Sequence, residues 1–274
     1  MGRLFGIAAA CALLFSLTAC SVKEDRSVCP SLLYVSLDSN QVSEALDSVI
    51  VYVYAAGTSV PVIRSREAVA DLIERPACYE VPRAVELNVV VLSDDTGLSY
   101  EAAELFCVSP NDCPELFDGF SSLTIDSYEE SAFTMVSLRK DYARITILLQ
   151  QDEVTDCALT ITADCNGVET ITGAARRGQF RFLCREVSEQ TYEVRLPRQD
   201  PQSEILLIVE GLKAKTGRRD IYGYFDIASL LYEKEYDWTE ENLKDAIIGI
   251  GRDMMLTGVT VLDWEDQDLD TIFQ

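Results

Sequence analysis

The sequence predicts a mainly β protein, two β-sandwiches in series behind an N-terminal export signal. Three observations carry this. Apolar and polar residues alternate at period two along most of the chain. Turn-forming residues recur every ten or so positions, with few helical stretches between them. The chain begins with a basic Met1-Gly2-Arg3, runs apolar from Leu4 to about Leu17, and stops at small residues before Cys20.

That opening segment is shorter and richer in alanine than the roughly 20 apolar residues of a membrane-spanning helix. It reads as the apolar core of a secretory signal over residues 1–19. Leu17-Thr18-Ala19-Cys20 is a lipobox: the small residues admit the signal peptidase, and the Cys20 thiol takes up diacylglycerol. Each buried acyl CH₂ contributes about 0.8 kcal/mol, and two or more chains make a stable anchor. The expectation is an outer-membrane lipoprotein, palmitate-bearing and exposed at the surface, with residues 20–28 as a polar tether.

The first group of strands is placed at residues 29–137. Leu33, Val35 and Leu37 alternate with Tyr34, Ser36 and Asp38. Val49, Val51 and Val53 alternate with Ile50, Tyr52 and Tyr54, which makes that strand apolar on both faces. Val85, Leu87, Val89 and Val91 continue the pattern up to the turn signal Asp94-Asp95-Thr96-Gly97. One helix is expected, capped by Ser65, with Val69, Leu72 and Ile73 on one face and Pro76 beyond its end. Residues 107–122, rich in Pro, Asn, Asp and Gly, read as an exposed loop.

The second group is placed at 138–274. Ala143, Ile145, Ile147 and Leu149 share a face, as do Leu159, Ile161 and Ala163, then Phe180 and Phe182, then Tyr192, Val194 and Leu196. Ile205 to Val209 is an apolar strand, Lys215-Thr216-Gly217-Arg218 a hairpin turn, and Ile221 to Phe225 the return. Residues 239–248 fit either a helix capped by Thr239 or a strand through Ile247, Ile248 and Ile250. Val259 and Val261 alternate with Thr260 and Leu262 in a last strand that reaches Trp264.

The chain holds nine cysteines and no histidine. Cys11 leaves with the signal and Cys20 carries lipid. Cys29, Cys78, Cys107, Cys113, Cys157, Cys165 and Cys184 remain, an odd number in an oxidising compartment. Cys107 and Cys113 flank a short loop that a disulfide would stiffen. By strand parity, either Cys157 or Cys165 could meet Cys184, and the alternative is a set of buried thiols.

Without histidine there is no Ser-His or Cys-His nucleophile pair and no His-based metal site, and no CxxC pair suggests zinc. Gly249-Ile250-Gly251 lacks the rest of a phosphate loop and reads as a turn. The formal charge of −23 disfavours nucleic acid and anionic lipid as partners. Paired carboxylates are the surviving enzymatic option. Asp263-Trp264-Glu265-Asp266 is better read as a strand end with solvated acids, and the Asn111–Asp118 stretch lacks calcium-loop spacing. No catalytic residue, cofactor or metal is assigned.

Three stretches resemble one known group: Cys20-Ser-Val-Lys-Glu-Asp-Arg-Ser-Val-Cys29-Pro30, Leu138-Arg-Lys-Asp-Tyr-Ala143-Arg144-Ile145-Thr-Ile147, and Val259-Thr-Val261-Leu-Asp263-Trp264. Their order is similar to that in the FimB-type fimbrial anchor subunits of the Bacteroidetes, in the fimbrillin superfamily of type V pili. Lys23-Glu24-Asp25 resembles the surface-export tag of such lipoproteins. The resemblance implies two transthyretin-like sandwich domains and a lipid-held subunit at the base of a fimbrium. It also implies a pilin partner that adds a β-strand to it. Cleavage at Arg26, Arg64 or Arg66, as in polymerising pilins, would part the protein from its lipid, which favours an anchor. A surface glycan-binding or adhesin lipoprotein is the alternative, and would display aromatics such as Tyr236, Trp238 and Trp264.

Overall fold

The computed structural model describes residues 29–39, 46–93, 98–101, 104–107, 113–150, 154–213, 219–251 and 254–262. The lipobox with Cys20, the Asp94–Gly97 and Lys215–Arg218 turns, and Asp263 to Asp266 lie outside them.

The protein is mainly β, with its strands in stacked sheets. A three-stranded sheet has the order β4 (Ala77–Val81), β1 (Ser31–Leu37), β9 (Ser131–Val136), with β9 parallel to β1. A five-stranded sheet runs β10 (Arg139–Lys140), β8 (Phe117–Thr124), β5 (Glu86–Leu92), β2 (Ser48–Ala55), β3 (Ile63–Ala68). Leu33, Val35 and Leu37 of β1 share one buried cluster with Val49, Val51 and Val53 of β2 and Leu87, Val89 and Val91 of β5. Period-two side chains place these residues on one face, and the register has to hold because a one-residue slip would turn all of them outward.

The other pair of sheets is larger. One runs β14 (Arg185–Ser188), β15 (Thr191–Pro197), β11 (Tyr142–Leu149), β18 (Asp245–Ile250), β19 (Leu256–Leu262). Its partner runs β17 (Arg219–Asp226), β16 (Ile205–Lys213), β12 (Val154–Glu169), β7 (Glu104–Cys107), β6 (Leu98–Glu101), with β13 (Ala175–Leu183) also on β12. Ile145, Ile147, Val194 and Ile248 meet Leu159, Ile161, Phe182, Ile205 and Leu207 in a second cluster. Full burial of such side chains stabilises by about 1.5–3 kcal/mol each.

The halves are joined in several ways, two of them through strands. The β6–β7 hairpin, which follows β5 in the chain, pairs antiparallel with the end of β12. The second face of β2, with Ile50, Tyr52 and Tyr54, belongs to the second cluster, so the strand apolar on both faces is buried on both faces.

Several local expectations change. Helix α1 spans Val69–Glu74, but its N-cap is Ala68, and the carbonyl of Asp47 accepts from Val69 N at 3.0 Å. Ser65 lies in β3, its hydroxyl on Glu67. Ile73 is exposed while Val69 and Leu72 are buried. The stretch read as an exposed loop contains β8, with Cys113, Leu116 and Phe117 buried. Gly119, which reads as a loop marker, serves a close approach: a Cβ there would sit 2.4 Å from the carbonyl oxygen of Ser137. Residues 245–250 are strand, so Gly249 and Ile250 close β18 rather than a turn. Helix α2 (Ile227–Glu233) is capped by Asp226, whose carboxylate accepts from Ser229 N at 3.0 Å.

Candidate functional site

Described core residues of the first sandwich are almost wholly inaccessible, and no apolar groove stands open among them. What the first sandwich offers instead is the outer face of its three-stranded sheet. Leu32 and Tyr34 of β1, Cys78 of β4, and Phe133 and Met135 of β9 all point away from the core. Phe133 is 70% and Met135 63% exposed. The register sets Tyr34 between Cys78 and Phe133. The Tyr34 and Phe133 rings stack at 4.6 Å and 11°. The Cys78 thiol beside the Tyr34 hydroxyl raises that phenol above its usual pKa. Both rims of the sheet, β4 and β9, are edge strands, so their outer backbone groups have no ladder partner among the described residues. Side chains tie these rims to the sheet beneath: Tyr79 OH donates to Glu67 at 2.9 Å, and Ser121 and Thr134 share a hydrogen bond of 2.6 Å. The rims are therefore held in place, with their outer backbone edges unpaired among the described residues.

At the junction, Arg139-Lys140-Asp141 forms a buried ion network. Arg139 bridges Asp118 of β8 (Nη2 to Oδ2, 2.8 Å) and Asp141 (Nε to Oδ2, 2.8 Å). Arg198 donates to Asp141 at 2.5 Å and to the carbonyls of Trp238, Glu240 and Glu241. Lys140 reaches Asp245 at 2.6 Å and lies over the Tyr142 ring. Gly173, with φ +72°, leaves the space that the Arg139 guanidinium fills. Burial and the neighbouring Asp141 push the Asp118 carboxyl well above the usual range, against the pull of Arg139. Burial lowers the Lys140 ammonium, against the pull of Asp245. The network is not legible in the sequence: the partners of the charged triplet, Asp118 and Arg198, lie away from it in the chain and carry no sequence signal.

A pH dependence follows. A carboxyl raised on folding contributes stability that is fully present below its unfolded value, about 4, and is lost as pH rises through its folded value. Asp118→Asn should flatten that part of the curve. Urea midpoints measured from pH 4 upward check this; parallel wild-type and variant curves would refute the assignment.

The cysteines are spread out. Cys29 and Cys78 are exposed, Cys107, Cys113 and Cys165 buried, Cys157 and Cys184 between these extremes. Cys165 Sγ lies 3.2 Å from Ser203 Oγ. The aromatics expected on a sugar-binding surface are elsewhere: Tyr236 and Trp238 are 7% and 6% exposed, packed on each other at 4.7 Å, with Tyr236 OH bonded to Lys244 O. Apolar ring area gains more from the core than from water, and the phenol finds a backbone partner there. Beside them a cleft of about 610 Å³ is lined by Ala228, Tyr232, Glu233, Glu235 and Asp237, with Tyr232 80% exposed at its mouth. Arg64 and Arg66 lie in β3, paired with β2. No helix among the described residues is long and apolar enough to cross a membrane.

No family model and no curated protein matches the chain. Solved structures do. A candidate polysaccharide-binding protein from Bacteroides thetaiotaomicron superposes with TM-score 0.57 at 11% identity, covering 86% of this chain and 100% of its own. The fimbrial anchor protein Mfa2 from Porphyromonas gingivalis gives TM-score 0.57 at 10% identity, over 86% and 98%. A candidate adhesin from Bacteroides ovatus gives 0.55 at 13%, over 89% and 96%. The chain has the fold of these fimbrial-anchor and adhesin-type structures over nearly its whole described length.

Proposed function

We propose that this protein is an outer-membrane lipoprotein, held by Cys20, that serves as an anchor or accessory subunit of a fimbrium and receives a β-strand from a neighbouring pilin. The sandwiches act as two domains divided near residue 137. The observation that carries the reading is the outer sheet face of the first sandwich, in a chain with the fold of a fimbrial anchor. An incoming strand beside β9 would complete its backbone hydrogen bonds and lay alternate side chains next to Phe133 and Met135. Because the core beneath is already filled, the strand adds to an edge and need not enter the core.

Phe133→Ser with Met135→Ser should leave the melting temperature within a few degrees of wild type and reduce co-purification of the polymeric pilin at least tenfold. Retained co-purification would sink this surface as the contact. Unchanged filament length and attachment after gene deletion would sink the anchor role itself.

A second reading rests on exposed Tyr232 at the mouth of the acidic cleft, since an aromatic face with carboxylates suits sugar hydroxyls. It calls for glycan-array binding that Tyr232→Ala abolishes.

A further inference from the structure

We infer that Cys157 and Cys184 form a disulfide, locking the point where the chain crosses between the two larger sheets. The inference rests on the exported location proposed above only for its oxidant.

The register carries it. Ile161 lies opposite Phe182 and Thr160 opposite Leu183 in the β12–β13 ladder. Ile161 and Phe182 are both fully buried, so that register is pinned by the core. One step further, Cys184 N donates to Leu159 O at 3.0 Å, which sets Cys184 across from Leu159. Cys157 is two residues along from Leu159, at the bulge between Thr155 and Ala158, and it packs against the same cluster as Leu159. The two thiols are therefore diagonal neighbours on the core-facing side, and both pack at the margin of the same cluster as partly buried groups.

Diagonal neighbours in a regular ladder stand about 7–8 Å apart, with Cβ atoms somewhat closer, wider than the 3.5–4.5 Å of a disulfide. Here the ladder is not regular at either cysteine. The pairing of β12 with β16 shifts register between Thr155 and Ala158, the irregularity that re-aims a side chain. Cys184 is the residue at which the chain leaves one sheet: Arg185 already pairs with Glu193 in the other. In this structure both are reduced thiols, and the bond closes by a local approach of the two backbones at these irregular positions.

The other thiols are placed differently: Cys107 closes β7, which pairs with the far end of β12 at Gly167–Glu169, and Cys113 N donates to Arg195 O. Cys165 stands beside Arg177 in the ladder, six residues beyond Leu159, with its sulfur on Ser203. Cys29 and Cys78 are at the surface of the first sandwich, Cys78 next to Tyr34. Of the two partners that parity allows Cys184, only Cys157 is adjacent.

The bond forms by exchange with the disulfide of a thiol oxidoreductase. One cysteine thiolate attacks it, giving a mixed disulfide and releasing one thiolate of the donor. The second cysteine thiolate then displaces the other donor sulfur. The protein loses two electrons and two protons, and the donor disulfide is reduced to a dithiol.

The full chain, refolded in a glutathione redox buffer, alkylated without reduction and cut with trypsin and Asp-N, should yield Asp156–Ala163 linked to Phe182–Arg185. Reduction should release both. Recovery of both peptides in alkylated form, or of either linked to another cysteine, overturns the assignment. Cys184→Ser should lower the melting temperature by several degrees under oxidising conditions and by little in reductant, while Cys29→Ser should change neither. The same digest on protein taken from the cell envelope separates the two claims: a bond in refolded material with free thiols in the cell supports the pair and refutes the exported location.

Discussion

Asp141→Ala should destabilise the protein by about 3–5 kcal/mol, the cost of breaking a buried ion pair from one side. Asp141 is fully buried and receives both Arg139 and Arg198. Arg139 would keep only Asp118 and the Thr170 carbonyl, and Arg198 its three backbone carbonyls. Arg198 would then face no carboxylate, and Arg139 only Asp118, which is itself held toward its neutral form. The contrast is Glu115→Ala. Glu115 pairs with Arg144 at 2.9 Å, but it is about half exposed, and such a pair is worth about 0–1 kcal/mol. Urea unfolding of both variants with unchanged m values checks the difference. Equal, small losses would show that the junction network contributes little.

Gly119→Ala is the second large effect, with an expected cost of about 1–3 kcal/mol from overpacking. The added Cβ would lie 2.4 Å from Ser137 O and 2.6 Å from Val136 Cγ1. The first is backbone in the segment that joins β9 to β10, so neither strand can move aside without disturbing the sandwich. Gly258→Ala is the control: nothing lies within 4 Å of a Cβ there, and the change should be neutral or slightly stabilising. Thermal melts of the two single variants test this. A Gly119→Ala protein as stable as Gly258→Ala would mean that β8 and β9 are looser than described.

Both predictions concern residues whose importance the sequence hides. Gly119 stands among Pro, Asn and Asp, the composition of a loop, yet it lies in a central stretch of β8. Its requirement comes from Ser137, a neighbour through the fold. Asp141 reads as an ordinary solvated acid until Arg198 and Arg139 close on it. The same reason hid Tyr236 and Trp238. Two aromatics amid acids look like a surface platform, but the turn after α2 folds them inward, where Lys244 O satisfies the phenol. Ser65 looked like a helix cap because its residue type is right. The cap is instead the Asp47 carbonyl, which accepts from Val69 N and which sequence-local rules cannot see.

Residue order alone determined the strands with strict alternation, β1, β2, β5, β11 and β15, because period two depends only on which neighbours must be buried. It also determined the acidic, histidine-free composition, and the lipobox reading of Cys20 rests on it alone. Tertiary structure decided everything that depends on distant partners. It decided which sheet faces are covered, which charges pair at the junction, and that Cys184 stands across from Leu159, two residues from Cys157 and six from Cys165. It left Tyr34, Phe133 and Met135 facing outward, although their alternation is as regular as that of the buried strands. Alternation says that two faces differ; only the packing of one sheet on another decides which of them meets solvent.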